Sequence, residues 1–484
     1  MSPGLLFSFV IAYFVILLVV AWYTGRNSNN DSFFIGNRNS NWMLVAFGMI
    51  GTSLSGVTFV SVPGAVGKEA FSYMQITLGY FIGYLTIAYI LIPLYYRLHL
   101  TSIYNYLDTR FGRYSYKTGA SFFILSRTLG ATARLYLVVR ILQDAILSSF
   151  GVPFWLTTLI ILLMILLYTY EGGVKTIVYT DTLQTSCMLA GLIICTIYIL
   201  KHMDLSVAGS FTAMHEKGLT TVFNFDPDSK LFFVKQILAG AFITITMTGM
   251  DQEMMQKNIS VKTLKDSKKN MVSLAFIMVI VIGLFLYLGG LLHIFGAAQG
   301  VTETGDKLFP ALALQHMPPV ISVIFIIALI SALFPSADGA MTALTSSICI
   351  DILGLQRRSD WSDARKKKIR QRIHLLMAFI FLLFVLLFEW IDNPSMIGVI
   401  LKIAAYTYGP LLGLFSFGIL SKRQVEDKWV PAVCVAAPLL CFVVDKYQSV
   451  LFGDFQIGLE LLIINGLFTY LGLLLIKKKD VQMA

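Results

Sequence analysis

Residues 42–66 read WMLVAFGMIGTSLSGVTFVSVPGAV in one-letter code, and the reading of this stretch decides the fold. It is long enough to cross a bilayer as a helix, which takes about 20 mostly apolar residues. In its middle, Gly51-Thr52-Ser53-Leu54-Ser55-Gly56-Val57-Thr58 puts small and hydroxylated side chains where a lipid-spanning helix usually carries Leu, Ile or Phe. Pro63 and Gly64 follow. Irregular backbone at membrane depth is tolerated only where it is packed within protein or lines a cavity. An unwound turn at this point offers free carbonyls to a cation and hydroxyls to a polar solute. Small residues also concentrate at tight helix–helix interfaces, so the stretch alone leaves both readings open.

The rest of the 484-residue chain resolves the class. It is 57% hydrophobic and only 13% charged, against roughly 25% charged in a typical globular domain. Apolar runs recur at 4–24, 42–66, 71–97, 118–149, 152–170, 174–200, 232–252, 271–296, 318–353, 373–390, 395–420, 430–445 and 455–476. That predicts an all-α polytopic membrane protein with about thirteen transmembrane helices. No stretch is long enough for a separate catalytic domain, and the longest non-membrane segment, about 201–231, carries turn residues rather than a core.

The formal charge of +10 does not describe a nucleic-acid surface, because the basic residues sort by loop. Arg26 and Arg38 follow the first run, Arg97, Arg110, Arg113 and Lys117 the third, and Lys257, Lys262, Lys265, Lys268 and Lys269 the seventh. Arg357 to Arg372 follow the ninth, and Lys477, Lys478 and Lys479 close the chain. Basic loops stay in the cytoplasm, so the pattern predicts an external N-terminus and a cytoplasmic C-terminus. Residues 4–24 lack a basic leader and a small-residue cleavage site, and read as a retained first helix. The five cysteines lie in apolar segments without metal-ligand spacing and read as packing residues.

Carboxylates in apolar spans are expensive and mark functional positions. Asp338 sits in Ser331-Ala332-Leu333-Phe334-Pro335-Ser336-Ala337-Asp338-Gly339, where Pro335 removes an amide donor and frees a carbonyl in the preceding turn. A second helix discontinuity is expected there. Ala332 and Ser336 are four apart and share a face, so a carbonyl and a hydroxyl can meet one ion. Asp338 binds a second ion, balances an arginine or caps a local break. Asp181 follows the turn signal Glu171-Gly172-Gly173 and stands among Thr180, Thr182 and Thr185; it is a helix-start charge or a cation ligand. Arg127 and Arg134 are seven apart and nearly aligned on one helix face, and Arg134, nearer mid-span, is the better partner for an anionic solute or for Asp338. Gln75 is a weaker pocket candidate. No zinc motif, phosphate-binding loop or dinucleotide fingerprint is present, and no nucleophile–base cluster suggests an enzyme.

Taken together, residues 51–59, Leu91-Ile92-Pro93-Leu94-Tyr95-Tyr96-Arg97 with Thr101-Ser102-Ile103-Tyr104, Tyr168 to Asp181, and Ser331 to Ile352 resemble the sodium/solute symporter family, over nearly the whole chain. The resemblance implies an inverted-repeat core of two five-helix units. Residues 1–41 would hold one extra helix and a cytoplasmic loop, 42–200 the first unit, 201–231 an extracellular loop, 232–420 the second unit, and 421–484 two further helices and a basic tail. It implies Na+ held by the carbonyls of Gly51, Leu54 and Ala332 and the Ser336 hydroxyl. Pro335-Ser336 stands where the family usually has two serines. Some relatives hold a second sodium at an aspartate matching Asp181, and Asp338 here falls where a serine ligand would be expected. Sialic-acid carriers are similar around residues 54–59, which implies Ser55 and Thr58 at the solute and Arg134 or Arg127 at an acid group.

The resulting expectation is a cell-membrane symporter, not an enzyme, that imports a small polar solute such as a sugar or an organic acid with sodium by alternating access. Its partners would be the solute, sodium and the lipid bilayer, with neither nucleic acid nor an obligate protein. The competing expectations are a proton-coupled or uncoupled carrier and a membrane sensor that has lost transport.

Overall fold

The computed structural model describes residues 3–25, 33–34, 38–358, 360–391 and 396–476, apart from the side chains at 171, 172 and 175. The charges read at Arg26 and Lys477 to Lys479 lie outside the described residues. The described chain is helical almost throughout. Helix α1 is Pro3–Gly25. It is followed by α2 (Trp42–Ser53), α3 (Gly56–Glu69) and α4 (Tyr73–Thr86). Next come α5 (Arg113–Ala145) and α6 (Phe154–His202). Then follow α7 (Phe233–Thr244), α8 (Gln252–Ile259), α9 (Leu264–Ala298) and α10 (Pro319–Ser347). Further on come α11 (Asp363–Ile391), α12 (Met396–Thr407), α13 (Gly409–Leu420), α14 (Val430–Lys446) and α15 (Leu461–Leu475), and shorter helices, Val207–Glu216 among them, lie in the connections. By length and apolarity, 8 helices among the described residues can cross a membrane, or 11 when each sharply bent pair is one span.

Backbone hydrogen bonds must close inside the chain wherever lipid replaces water, which explains why helices dominate. Their association rests on close backbone approach rather than on water exclusion. Gly79 of α4 and Gly240 of α7 lie against each other's helices: a Cβ at 79 would strike the Ile237 carbonyl, and one at 240 the Ile76 carbonyl. Within α6, Gly173 adopts φ 54° and ψ −148°. This conformation suits glycine and turns the chain between the two apolar arms that the sequence separates.

Three helix pairs are bent at short breaks: α2 and α3 by 56°, the segment 233–249 and α8 by 64°, and α12 and α13 by 46°. The first is the break expected at residues 51–58. The other two carry weaker signals, Gly249 and Gly409-Pro410, and were not anticipated. Conversely, the discontinuity expected at 332–339 is absent, since α10 remains helical from Pro319 to Ser347. The physical reason is enclosure. Every residue of α10 from Ala328 to Ser347 is buried, and neighbouring helices let a proline-bearing segment stay helical where they enclose it. Pro335 still leaves the Ser331 carbonyl without an amide four residues on.

Replacing Gly79 or Gly240 with leucine overpacks the α4–α7 contact and should cost about 1–3 kcal/mol, read as a lower melting temperature of the purified protein. Gly130→Ala, inside α5 where an added Cβ meets nothing within 4 Å, should not lower the melting temperature, since Ala favours the helix over Gly.

Candidate functional site

The two sharpest breaks are finished differently. Between the segment 233–249 and α8, the carbonyls of Gly249 and Met250 are matched by protein. Tyr95 donates to the Gly249 carbonyl at 2.7 Å and Tyr104 to the Met250 carbonyl at 3.0 Å. The Asp251 carboxylate caps α8 by accepting from the amides of Glu253 (2.9 Å) and Met254 (3.3 Å), and it accepts from the Tyr408 hydroxyl at 2.6 Å. An N-cap aspartate both satisfies free amides and complements the helix dipole.

At the α2–α3 break the Leu54 amide is the last to find its carbonyl, Ile50 at 2.8 Å. Ser55 is then extended (φ −74°, ψ 171°) and offers no side-chain cap. The carbonyls of Gly51 and Leu54 accept no hydrogen bond from the described residues. Such groups need a partner in a low-dielectric interior.

Their surroundings are short of donors and rich in oxygen. Gly51 packs directly on the Thr185 hydroxyl, and a Cβ there would lie 3.4 Å from Pro335 Cγ. A Cβ at Gly48 would lie 3.0 Å from Asp181 Cβ. Thr185 Oγ1 and Asp181 Oδ1, one turn apart on α6, are buried without a hydrogen-bond partner. Ser336 gives its hydrogen to the Leu333 carbonyl at 2.9 Å, which leaves its oxygen lone pairs free to meet a cation. The residues present therefore suit a bare monovalent cation better than another donor. The described residues contain no cluster of histidine, cysteine and carboxylates fit for a transition metal.

A cavity of roughly 750 Å³, counting its open mouth, adjoins the break. Thr52 to Ser55, Thr58, Tyr73, Tyr80 and Tyr84 supply its polar wall, and Arg127 and Arg134 both line it. Ser55, Thr58 and the two arginines are thus brought together as the sequence suggested. The arginines differ in what they can do. Arg127 is ion-paired with Glu253, both side chains being nearly inaccessible. Arg134 has no carboxylate partner among the described residues.

Gln75 is a correction. It is absent from the cavity lining and is spent on the segment between α6 and α7. Its amide donates to the Ser72 and Leu231 carbonyls at 3.3 and 3.1 Å, and its oxygen accepts from the Asn224 amide at 3.3 Å.

The two span carboxylates have separate partners. Asp338 accepts from the Tyr168 hydroxyl at 2.7 Å, so the pairing with Arg134 considered above does not form. Asp181 Oδ2 accepts from Lys257 Nζ at 2.8 Å and from Thr52 Oγ1 at 3.3 Å. Lys257 Nζ also donates to Thr52 Oγ1 at 2.7 Å and stands 3.7 Å from Glu253 Oε1. Lys257 was counted with the cytoplasmic loop bases, whereas the structure buries it at 3% exposure. Asp251, Glu253 and Lys257 were all missed as site residues. The signal was present in Gly249-Met250-Asp251-Gln252-Glu253, a cap followed by a short helix whose Glu253 and Lys257 are one turn apart.

With the geometry described, similarity to known proteins becomes informative. Residues 33–427 match the family model of the sodium:solute symporter family. The sodium/sialic acid symporter of Proteus mirabilis is 23% identical over 90% of this chain and 87% of its own length. Sodium-coupled monocarboxylate transporter 1 of Mus musculus is 26% identical over 83% of this chain and 66% of its own. A solved substrate-bound, outward-open structure of a Na+-coupled sialic acid symporter superposes with a TM-score of 0.84. It covers 98% of this chain and 99% of that one at 20% identity, a likeness of fold. The chain belongs to the sodium:solute symporter family and is a multi-pass membrane protein that couples sodium to the movement of a small polar solute, not an enzyme.

Proposed function

We propose that this transporter imports a small organic anion, a carboxylate-bearing sugar or short organic acid, through the cavity beside the α2–α3 break. The observation that carries this reading is Arg134, a guanidinium on the cavity wall with no carboxylate of the described chain to neutralise it. A fixed cation in an apolar enclosure favours an anion and rejects neutral analogues, which leave it unpaired. Ser55 and Thr58 lie on the same wall and offer hydroxyls to the rest of the solute. Arg127 supports the wall through Glu253 rather than reading the solute. The acids in the names of the sialic acid and monocarboxylate relatives agree with this choice.

The coupling sodium sits at the carbonyls of Gly51, Leu54 and Ala332 and the Ser336 hydroxyl, with Thr185 Oγ1 as a further neighbour. Support comes from the unpartnered carbonyls at the break and from the approach of Gly51 to Pro335 and Thr185. Oxygen ligands replace the ion's hydration and hold the end of α2 against α10. Such a site forms only while those helices are apposed, so sodium prefers the state in which the solute wall is assembled. Coupling is that difference in affinity between states. The covalent state of the solute never changes; each net positive charge carried inward through an inside-negative membrane gains roughly 2.3 kcal/mol per 100 mV.

The bent pairs and the shorter apolar helices Phe154–Tyr170 and Leu461–Leu475 support the division into units 42–200 and 232–420 with about thirteen spans, flanked by 1–41 and 421–484. The basic-residue pattern supports an external N-terminus and a cytoplasmic C-terminus.

Uptake into proteoliposomes, screened over acidic sugars, monocarboxylates, neutral sugars and amino acids, tests the reading. Concentrative uptake should be confined to acids and vanish when choline replaces external sodium at fixed pH. Preference for a neutral solute would contradict it. Arg134→Gln should lower acid uptake at least about tenfold, equivalent to 1.4 kcal/mol, with an unchanged melting temperature. Arg127→Gln removes the close partner of buried Glu253 and leaves it only the 3.7 Å approach of Lys257; breaking such a pair costs up to about 3–5 kcal/mol and should lower the melting temperature. Ser336→Ala should raise the sodium concentration for half-maximal uptake severalfold, and an unaltered sodium dependence would remove Ser336 from the site.

A further inference from the structure

Asp181 is a buried carboxylate in the middle of a transport core, yet one of its oxygens is already taken by a cation that cannot leave. We infer that the Lys257 ammonium is a tethered cation occupying the place a second sodium would take at Asp181, so that the transporter carries a single sodium per cycle. This deepens the functional reading and rests on it.

Three observations carry the inference. Lys257 Nζ meets the ligands that a cation at this position would use, Asp181 Oδ2 at 2.8 Å and Thr52 Oγ1 at 2.7 Å. The ammonium is delivered by a built feature: α8 begins at the Asp251 cap, and Lys257 lies on it one turn beyond Glu253, which is itself fixed by Arg127. Finally, room has been made on the facing helix. A Cβ at Gly339 would strike Glu253 Oε1 and lie 3.0 Å from Lys257 Nζ, so α10 presents bare backbone where the ammonium passes.

A sodium ion within ligand distance of Asp181 Oδ2 would stand close to this ammonium, and both groups are buried where the repulsion is weakly screened. The lysine also joins three elements, since α8 carries it and it is held by Asp181 of α6 and Thr52 of α2. It makes the cross-helix tie that an exchangeable ion would make, but it is never released. Asp338 is engaged on another side by Tyr168 and adds no ligand to the same oxygen of Asp181. The site at Gly51, Leu54, Ala332 and Ser336 is left as the one that fills and empties.

Equilibrium binding of ²²Na+ to the purified full-length protein tests this directly, with sodium alone as the probe. The wild type should bind one sodium per chain. Lys257→Ala should bind two, because the freed carboxylate then accepts an ion. Lys257→Ala combined with Asp181→Asn should return to one. Lys257→Arg, which keeps the charge, should stay at one. Two ions on the wild type would overturn the inference while leaving sodium coupling intact. No ion on a wild type that still binds an acidic solute would remove the sodium-site reading, and the inference with it. Should Lys257→Ala not fold, the wild-type count and Lys257→Arg still decide between one ion and two.

Discussion

A carbonyl released from a helix in the membrane interior must be given another partner, and the two sharpest breaks of this fold meet that demand differently. At the α8 break, Tyr95 and Tyr104 donate to the Gly249 and Met250 carbonyls, and Asp251 caps α8 while accepting from Tyr408. At the α2 break, the Gly51 and Leu54 carbonyls accept no hydrogen bond from the described residues. In the proposed function an ion takes that place, beside the cavity. The extended Ser55 re-aims the chain so that Thr58 and Ser55 face the same space as Arg134.

The charges around that space form an ordered set. Arg127 with Glu253 and Lys257 with Asp181 are closed pairs, nearly inaccessible and dependent on one another through the 3.7 Å approach of Lys257 to Glu253. Buried pairs of this kind are weak stabilisers, but removing one partner is costly. Their role here is to fix position: each ties α8 to a different helix, α5 through Arg127 and α6 through Asp181. Arg134, outside these pairs, is the cation that the proposed solute would neutralise.

Much of this was legible in the sequence, for reasons that can be named. The α2–α3 break was readable because Gly51 to Thr58 departs so sharply from lipid-facing composition. Ser55 and Thr58 were marked by that segment and by its likeness to sialic-acid carriers, which left Arg134 and Arg127, aligned on one face of α5, as alternatives. The continuity of α10 was not readable, because a proline's local effect is visible in sequence whereas the packing that overrides it is not. Gln75 looked like a pocket residue because its partners, Leu231 and Asn224, lie some 150 residues away. Lys257 was misassigned for a related reason. A lysine shortly after an apolar run resembles a loop charge, and only the unforeseen continuation of the helix beyond Asp251 carries it inward to Asp181.

The central claim is that sodium bridges the open ends at the α2–α3 break to α10. Hydrogen–deuterium exchange on the purified protein measures this most directly, with sodium replaced by choline at constant ionic strength and pH. Sodium should slow exchange at the backbone amides of residues 54–58 and around Ser336, while the break at residues 249–254, which carries none of the proposed ligands, exchanges equally in both salts. Identical exchange at residues 54–58 with and without sodium would contradict it.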